Sequence, residues 1–190
     1  MTLLGKTGGV APLGFSMVDT AVGWCAVAWS AIGICAVQLP EAGREATRQR
    51  MVRRLDSAAE EATPTAQVHA AMHAITTLLR QGRADLTAIA LDLDHVSPFN
   101  RQVYDIALRI APGDTRTYGQ IATDMGDVNL SRAVGRALGQ NPIPIIVPCH
   151  RVIAANGNTG GFSGGDGVAT KMRLLGIEGA AIAAQGSLFT

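Results

Sequence analysis

Three prolines within seven residues constrain the fold of this chain more than any other feature. Pro142, Pro144 and Pro148 each fix φ at about −65° and remove a backbone hydrogen-bond donor, so the backbone around them is stiff and cannot be helical. The apolar run Ile145–Val147 lies between the second and the third proline. A short apolar run in such a setting predicts a buried strand or an extended segment.

The proline-rich segment ends at Cys149, which is followed by His150 and Arg151. A cysteine thiol has a pKa of about 8.5 in water, and a neighbouring cation or histidine lowers it. A thiol held by rigid backbone in a cationic setting suits a nucleophile. The alternative is that Cys149 is a small buried apolar residue, which is the commoner role of a free cysteine. The local sequence leaves both interpretations open.

Length and charge set broad limits on function. A chain of 190 residues suffices for one large or two small domains. The net charge of +1 gives the protein no strong overall positive potential that would attract nucleic acid. Local positive patches, however, matter more for such binding than the net charge. The 3 cysteines have no paired spacing, which predicts free thiols in a reducing compartment. We therefore expect a cytoplasmic protein.

The uncharged segment Ala21–Leu39 is long enough to span a bilayer. It divides, however, into two pieces of strand length, Gly23–Trp29 and Gly33–Leu39, which are joined by turn-compatible residues. We therefore expect a buried β-hairpin and no membrane association. A secretory signal is disfavoured, because no cleavage site follows an apolar core.

The rest of the first half predicts a small α/β unit. Residues 1–17 are glycine-rich and predict a loose start, whereas Glu41–Glu61 predicts a helix whose arginines are balanced by acidic residues. That balance favours a solvated helix face over a nucleic-acid patch. A second helix is expected over Pro64–Arg80, closed by Gly82. Leu86–Asp92 is expected to add a strand to the sheet.

This half also contains one candidate metal set, which consists of Cys25, Cys35, His69 and His73. The two histidines are one turn apart on a predicted helix face. The spacing of the four residues matches no zinc signature, and histidines on an apolar helix are more often ordinary surface or core residues. We therefore expect no bound metal.

A change of pattern at Ser97-Pro98 opens the second half. Serine as the N-cap and proline at the first helical position predict a helix over Phe99–Ile110. A short helix over Tyr118–Met125, a turn containing glycine, and a helix capped by Asn129 and running over Leu130–Gln140 follow. Two short helices joined by a tight turn predict a helix-turn-helix.

The helix over residues 130–140 combines arginines with small residues on its predicted exposed face. That face consists of Arg132, Gly135, Arg136 and Gly139, at i, i+3, i+4 and i+7, and it lies beside Ala133 and Ala137. A glycine costs about 1 kcal/mol of helix stability relative to alanine. A face that stays small despite this cost suits close approach by a bulky partner, and the arginines favour a phosphate backbone. Tight packing against another helix is the alternative.

A glycine-rich loop over residues 154–167 follows the cysteine segment, and its backbone amides suit ligand contact. It lacks the lysine and hydroxyl residue that end a phosphate-binding loop. A closing helix is expected over Val168–Leu175, with Glu178 shortly after it. A carboxylate near a Cys-His pair orients the imidazole, as in catalytic triads.

The stretch Asn-Pro-x-Pro-x-x-x-Pro-Cys-His-Arg-Val resembles the active-site signature of the O6-alkylguanine-DNA alkyltransferases, also called methylated-DNA–protein-cysteine methyltransferases. The resemblance covers residues 97–179. Its further matches, in order, are Tyr118-Gly-Gln-Ile-Ala, Arg132-Ala-Val-Gly, Gly161-Phe-Ser and Lys171 through Glu178.

The resemblance implies a fold of two domains. Residues 1–94 would form an α/β domain with a small ribonuclease-H-like sheet and helices. Residues 95–180 would form a mainly α, winged-helix-like or helix-turn-helix domain for DNA binding and alkyl transfer. Residues 181–190 would form a C-terminal tail.

The resemblance also implies direct DNA repair. Such a protein transfers the alkyl group of O6-alkylguanine, and of O4-alkylthymine, from duplex DNA to its own cysteine, once and irreversibly, after the base is flipped out. It would bind DNA from the minor groove as a monomer and would need no cofactor and no metal. The alternative is a lesion-binding module that recruits other repair proteins, but such relatives lack the reactive cysteine, which is present here as Cys149.

Individual roles follow from the same resemblance. Cys149 is the implied nucleophile, and His150, held by Glu178, takes its proton through a water. Tyr118 helps to rotate the nucleotide and donates to guanine N3, and Asn141 is a hinge between the DNA-binding helix and the active-site segment. The implied DNA contacts are Tyr118, Arg132, Ala133, Gly135, Arg136 and Arg151, with Arg132 filling the space left in the base stack.

The implied substrate pocket consists of Pro144, Val152, Phe162 and Ser163. Many relatives have tyrosine where this chain has Phe162, so any hydrogen bond from that hydroxyl is lost. The glycine cluster Gly164–Gly167 is a second departure, and it suits a pocket that tolerates larger alkyl groups.

Overall fold

The computed structural model describes residues 13–55, 60–155 and 158–180. The first half is a three-stranded sheet with two helices, and the second half is mainly helical. In chain order the elements are β1 (Gly14–Thr20), β2 (Gly23–Trp29), β3 (Ile34–Gln38), α1 (Arg44–Arg54), α2 (Ala66–Gln81), α3 (Pro98–Ala107), β4 (Arg116–Thr117), α4 (Tyr118–Asp124), α5 (Ser131–Gly139), β5 (Val152–Ile153) and α6 (Val168–Ile177).

The sheet is antiparallel in the order β1-β2-β3, so the predicted hairpin of β2 and β3 is confirmed. Alternate residues of a strand point to opposite faces, and each face packs with its own helix. Val27 and Trp29 share a core cluster with α2, whereas Ala26 and Ala28 share another with α1. Burial of both faces of the sheet explains why the segment Ala21–Leu39 carries no charge. Among the described residues no helix is long and apolar enough to cross a membrane.

Two predictions for the first half were wrong. Residues 14–17 were assigned to a loose start, but they belong to β1, because Phe15 and Met17 are buried in the cluster with α1; residues 1–12 lie outside the described part. Leu86–Asp92 is not a strand. Only Leu91 forms a bridge, with Ile34, because the two segments touch for a single residue.

The helices of this half follow their local signals. In α2 the Thr65 side chain accepts a hydrogen bond from the Val68 backbone N–H, and Gly82 closes the helix with φ of 75°. The helix predicted over Glu41–Glu61 is shorter, since α1 ends at Arg54; residues 56–59 lie outside the described part.

The candidate metal set is not assembled. Cys25 and Cys35 are buried free thiols in different core clusters. Among residues 13–55, 60–155 and 158–180 no group of three or more His, Cys, Asp or Glu residues is placed to hold a metal.

In the second half Ser97 caps α3 as predicted, with its side chain accepting from the Asn100 backbone N–H. A capping box between Thr117 and Gln120 begins α4. The predicted cap at Asn129 was wrong. The Asp127 side chain instead accepts from the Asn129 N–H and forms a 3₁₀ turn ahead of α5. The buried Tyr104 hydroxyl donates to the Ala137 carbonyl at 2.9 Å and ties α3 to α5.

The strand or extended segment predicted over Ile145–Val147 was also wrong, because the chain turns there. Ile145 has φ of 77°, a conformation that costs a β-branched residue on the order of 1–3 kcal/mol. The Asn141 side chain holds the turn, accepting from the Ile143 N–H at 2.9 Å and donating to the Val147 carbonyl at 2.8 Å. All three residues of the run are buried, which explains their apolar character.

We predict that Gly33→Ala destabilises the protein while Gly176→Ala does not. A Cβ on Gly33 would lie 2.3 Å from the Ala90 carbonyl oxygen, where the Ile34 N–H binds the same carbonyl. Overpacking of this kind costs about 1–3 kcal/mol. A Cβ on Gly176, inside α6, meets nothing within 4 Å and should stabilise the helix by up to about 1 kcal/mol. Urea unfolding of both variants measures the difference, and equal effects would contradict the packing described.

Candidate active site

Cys149 begins a 3₁₀ turn, Cys149–Arg151, directly after Pro148. The turn is anchored by the Cys149 N–H, which donates to the Val147 carbonyl at 2.8 Å. The residue is only 7% exposed, yet it lines two cavities. The rigid proline segment therefore presents a largely buried cysteine to two cavities rather than to the outer surface of the protein.

The surroundings of this sulfur act in opposite directions. Burial raises the pKa of the Cys149 thiol, whereas the Asn141 side chain, the Lys171 charge and the backbone N–H groups of Cys149 and His150 lower it. Burial is the larger effect, so the resting group is a thiol at neutral pH. Nucleophilic attack then requires a base to take its proton.

The side chain of His150, the residue after Cys149, is held by a buried carboxylate and is the candidate for that base. Its Nε2 lies 3.0 Å from Glu178 Oε1, and its Nδ1 is buried with no hydrogen-bond partner in the described part of the chain. If Nε2 carries the proton and donates to the carboxylate, Nδ1 keeps a free lone pair. Burial lowers the pKa of His150 while Glu178 raises it, so the ring is neutral at pH 7.

Arg151 completes the buried cluster. Its Nε and Nη2 each donate to Glu178 at 2.8 Å, and its Nη1 donates to the Ile110 carbonyl at 2.5 Å. Burial alone would raise the pKa of Glu178, but the hydrogen bonds from His150 and Arg151 lower it to about 2. The side chain of Arg151 is buried, which contradicts the prediction that it contacts DNA; its role is to neutralise Glu178.

One cavity, of about 710 Å³, brings several predicted residues to Cys149. We call it the base cavity, and among its lining residues are Tyr118, Arg132, Gly135, Phe162 and Ser163. Arg132 and Arg136 are exposed on α5, as predicted, but Ala137 is buried in the core. Ala133 and Arg136 lie on α5 outside the cavity lining.

Tyr118, the first residue of α4, lies against small residues. A Cβ on Gly135 would lie 3.8 Å from its ring and a Cβ on Gly160 would lie 2.8 Å from its hydroxyl oxygen. The hydroxyl donates to the Gly161 carbonyl at 3.5 Å. The glycines on both sides therefore leave room for this ring at the edge of the base cavity.

The predicted pocket residues lie in three different places. Phe162 and Ser163 line both cavities, and Ser163 Oγ donates to the Gly139 carbonyl at 3.1 Å. Pro144 lines only the second cavity, not the base cavity. Val152 was assigned to the pocket wrongly, because its side chain is fully buried and lines neither cavity.

Sequence reasoning missed the role of Lys171. This lysine on α6 is 0% exposed, and its Nζ donates to the Val152 carbonyl at 2.6 Å and also to the Thr159 carbonyl. Burial lowers its pKa to about 8 although Cys149 opposes the shift. The spacing of the residues could have indicated this burial. Lys171, Leu174, Leu175 and Glu178 lie at i, i+3, i+4 and i+7, so the lysine belongs to the buried face of α6.

Comparisons with known proteins agree with this geometry. The family described as 6-O-methylguanine DNA methyltransferase, DNA binding domain, matches residues 98–180. A methylated-DNA–protein-cysteine methyltransferase of Mycobacterium bovis is 43% identical over 106 residues, which cover 55% of this chain and 63% of that protein. One of Methanothermobacter thermautotrophicus is 34% identical over 125 residues, covering 66% of this chain and 69% of that protein. The matched region thus spans less than two thirds of some of these curated relatives.

Solved structures extend the likeness to the first half. The Mycobacterium tuberculosis OGT in complex with DNA superposes with a TM-score of 0.67 at 30% identity, covering 87% of this chain and 92% of that one. The O6-methylguanine-DNA methyltransferase of Pyrococcus kodakaraensis gives a TM-score of 0.69 at 26% identity, covering 87% and 99%. With the reactive-cysteine signature, its buried His-Glu support and these matches in agreement, the chain belongs to the methylated-DNA–protein-cysteine methyltransferase family.

Proposed function

We propose that this protein repairs alkylated DNA by transferring the alkyl group of O6-alkylguanine, and of O4-alkylthymine, to Cys149. The observation that carries the proposal is the buried Cys149, which lines a cavity bordered by the exposed Arg132 and is followed in sequence by His150, whose ring is held by Glu178. A buried cysteine that served only to pack would need neither a free imidazole nitrogen nor a cavity at its sulfur.

The transfer is a displacement at the alkyl carbon. The thiol proton passes to His150 Nδ1, through a water, and the sulfur forms a bond to the alkyl carbon as the bond from that carbon to O6 breaks. The electron pair stays with guanine, which ends with a proton, so proton and alkyl group have exchanged partners. Because a thioether is stable, each molecule acts once. A hydrogen bond from the Tyr118 hydroxyl to the base makes guanine a better leaving group.

DNA would meet the protein along α5. Arg132 and Arg136 are exposed there, and Gly135 and Gly139 keep the surface between them low. Such a surface suits close approach to phosphates. A base inside a duplex cannot reach a buried sulfur, so the nucleotide must rotate into the base cavity. We infer that the helix enters the minor groove and that Arg132 fills the space the base leaves.

The pocket and hinge roles extend the same proposal. Phe162 and Ser163 hold the O6 side of the base, while Pro144 borders the substituent, and Asn141 fixes the turn that leads from α5 to Cys149. We also propose that residues 1–94 form a ribonuclease-H-like domain and that residues 95–180 form a winged-helix-like domain. The protein is proposed to act as a monomer.

Incubation with duplex DNA containing one O6-methylguanine should add about 14 Da to the intact protein, on Cys149 alone. Peptide mapping locates the adduct, and Cys149→Ala should gain no mass while Cys35→Ala gains it normally. Binding of the lesion duplex without a mass change would favour the lesion-binding alternative and overturn the transfer.

Arg132→Ala should slow transfer from duplex DNA by about tenfold or more, which corresponds to about 1.4 kcal/mol of lost transition-state stabilisation. Transfer from the free base O6-benzylguanine should change much less, because no base has to leave a stack. Arg80→Ala, an exposed arginine on α2, is the matched control. Equal losses on both substrates would remove the flipping role from Arg132.

Acid should destabilise the protein through Glu178. The pKa of this group is about 2 in the fold against an ordinary 4.5, so the unfolded chain binds the extra proton first. The contribution is therefore complete above pH of about 4.5 and is lost as the pH falls toward 2, by up to about 3 kcal/mol.

Urea unfolding between pH 7 and pH 3, compared with Glu178→Gln, isolates this effect. The variant should be less stable at pH 7, because Arg151 loses its buried partner, and should lose less stability on acidification. Parallel pH profiles would show that Glu178 is not responsible.

A further inference from the structure

Cys149 borders a second cavity, of about 450 Å³, which reaches from the proline turn to β3 and α1. We call it the interdomain cavity, because both halves of the chain line it. It shares with the base cavity only Cys149 and four neighbours, Leu138, Gly139, Phe162 and Ser163. The hydrogen bond from Ser163 to the Gly139 carbonyl lies in this shared boundary. Cys149 therefore lies between the base cavity and the interdomain cavity.

In a displacement at carbon, the guanine base and the rest of the O6 substituent would occupy different cavities. The attacking sulfur, the carbon and the departing O6 lie roughly in line, so the rest of the substituent projects away from that line and from the base. With guanine in the base cavity, the space left beside the sulfur is the interdomain cavity. Its volume lies in the range of whole ligand pockets, roughly 300–1,000 Å³, far more than a methyl group needs.

The interdomain cavity also carries positive charge. Arg54 donates to the carbonyls of Val37 and Pro142 and to Gln38 Oε1, at 2.8 to 3.1 Å, so all its partners are neutral. Arg50 also lines the cavity and is exposed. In the described part of the chain neither arginine forms a salt bridge.

The other polar groups that line the cavity compensate the positive charge of Arg50 and Arg54 only in part. Glu41 is the one carboxylate among its lining residues, and it accepts a hydrogen bond from Gln38 Nε2 at 3.1 Å. His95 has a buried Nε2 without a hydrogen-bond partner among the described residues. Two guanidinium groups and one carboxylate thus lie among the lining residues, and this excess of positive charge favours an anionic guest.

We propose that the interdomain cavity receives the O6 substituent and that Arg50 makes it select substituents ending in a carboxylate. This inference rests on the proposed transfer to Cys149 and names the substrates that the site prefers. Bond making and breaking are unchanged: the sulfur bonds to the carbon attached to O6, and the distal carboxylate stays on the substituent and is carried onto the protein. Arg50 acts as a specificity residue rather than a catalytic one.

The test compares three duplexes that differ only in the lesion: O6-methylguanine, O6-benzylguanine and O6-(4-carboxybenzyl)guanine. Adduct formation on Cys149 is followed by intact-protein mass, and each rate is divided by the methyl rate of the same variant. The ratio of carboxybenzyl to benzyl transfer should fall by about two- to fivefold in Arg50→Met, the size expected for one exposed ion pair, and further in Arg50→Glu.

Arg53→Glu is the matched control, because Arg53 is an exposed arginine on the same helix that does not line the cavity. Its ratio should equal that of the unmodified protein, which removes any general effect of charge on DNA binding. Equal ratios in all variants would overturn the role of Arg50, and failure of both benzyl substrates would overturn the cavity assignment. Absence of methyl transfer in the unmodified protein would instead refute the function on which the inference rests.

Discussion

The buried carboxylate of Glu178 joins the end of α6 to the turn that carries Cys149. It accepts hydrogen bonds from His150 and Arg151, and Arg151 in turn binds the Ile110 carbonyl after α3. Removing one partner of such a cluster leaves a buried charge without compensation, which costs far more than the loss of a surface ion pair. The position of the imidazole next to the cysteine therefore depends on the packing of α6 against the turn that carries Cys149.

Enclosure of the sulfur has a chemical consequence. Burial raises the pKa of Cys149, so the thiolate does not form spontaneously at neutral pH, and the proposed transfer assigns the removal of its proton to His150. A thiol in this state reacts slowly with chance electrophiles, while a substrate held in line with the sulfur gains from proximity and orientation. Lys171 adds a positive charge and fixes the backbone of the loop at Thr159 and of β5 at Val152. Restraint and reactivity thus come from the same buried polar groups.

The first half has no nucleophile of its own at the site, yet it shapes the space around the cysteine. Arg54 donates to carbonyls of both β3 and the proline segment, so this half-buried side chain attaches α1 to the second half. The alternation of charge along α1 indicated a solvated face, and it could not show that Arg54 points inward. Side chains from distant parts of the sequence meet at one cavity only after the sheet has placed α1.

The sequence by itself determined the hairpin and most helix starts, because prolines, caps and apolar periodicity act over a few residues, and its resemblance to a known family pointed to Cys149 as the reactive group. The family resemblance implied roles for His150, Glu178 and Tyr118, and the contact between His150 and Glu178 is present in the structure. Tertiary structure decided the rest. Tertiary packing forms the tight turn at Ile145–Val147, which Asn141 holds, and it buries Arg151 against Glu178. It also buries Lys171 and forms the interdomain cavity beside Cys149. Those outcomes depend on charge neutralisation and close packing between residues far apart in the chain, which no local pattern records.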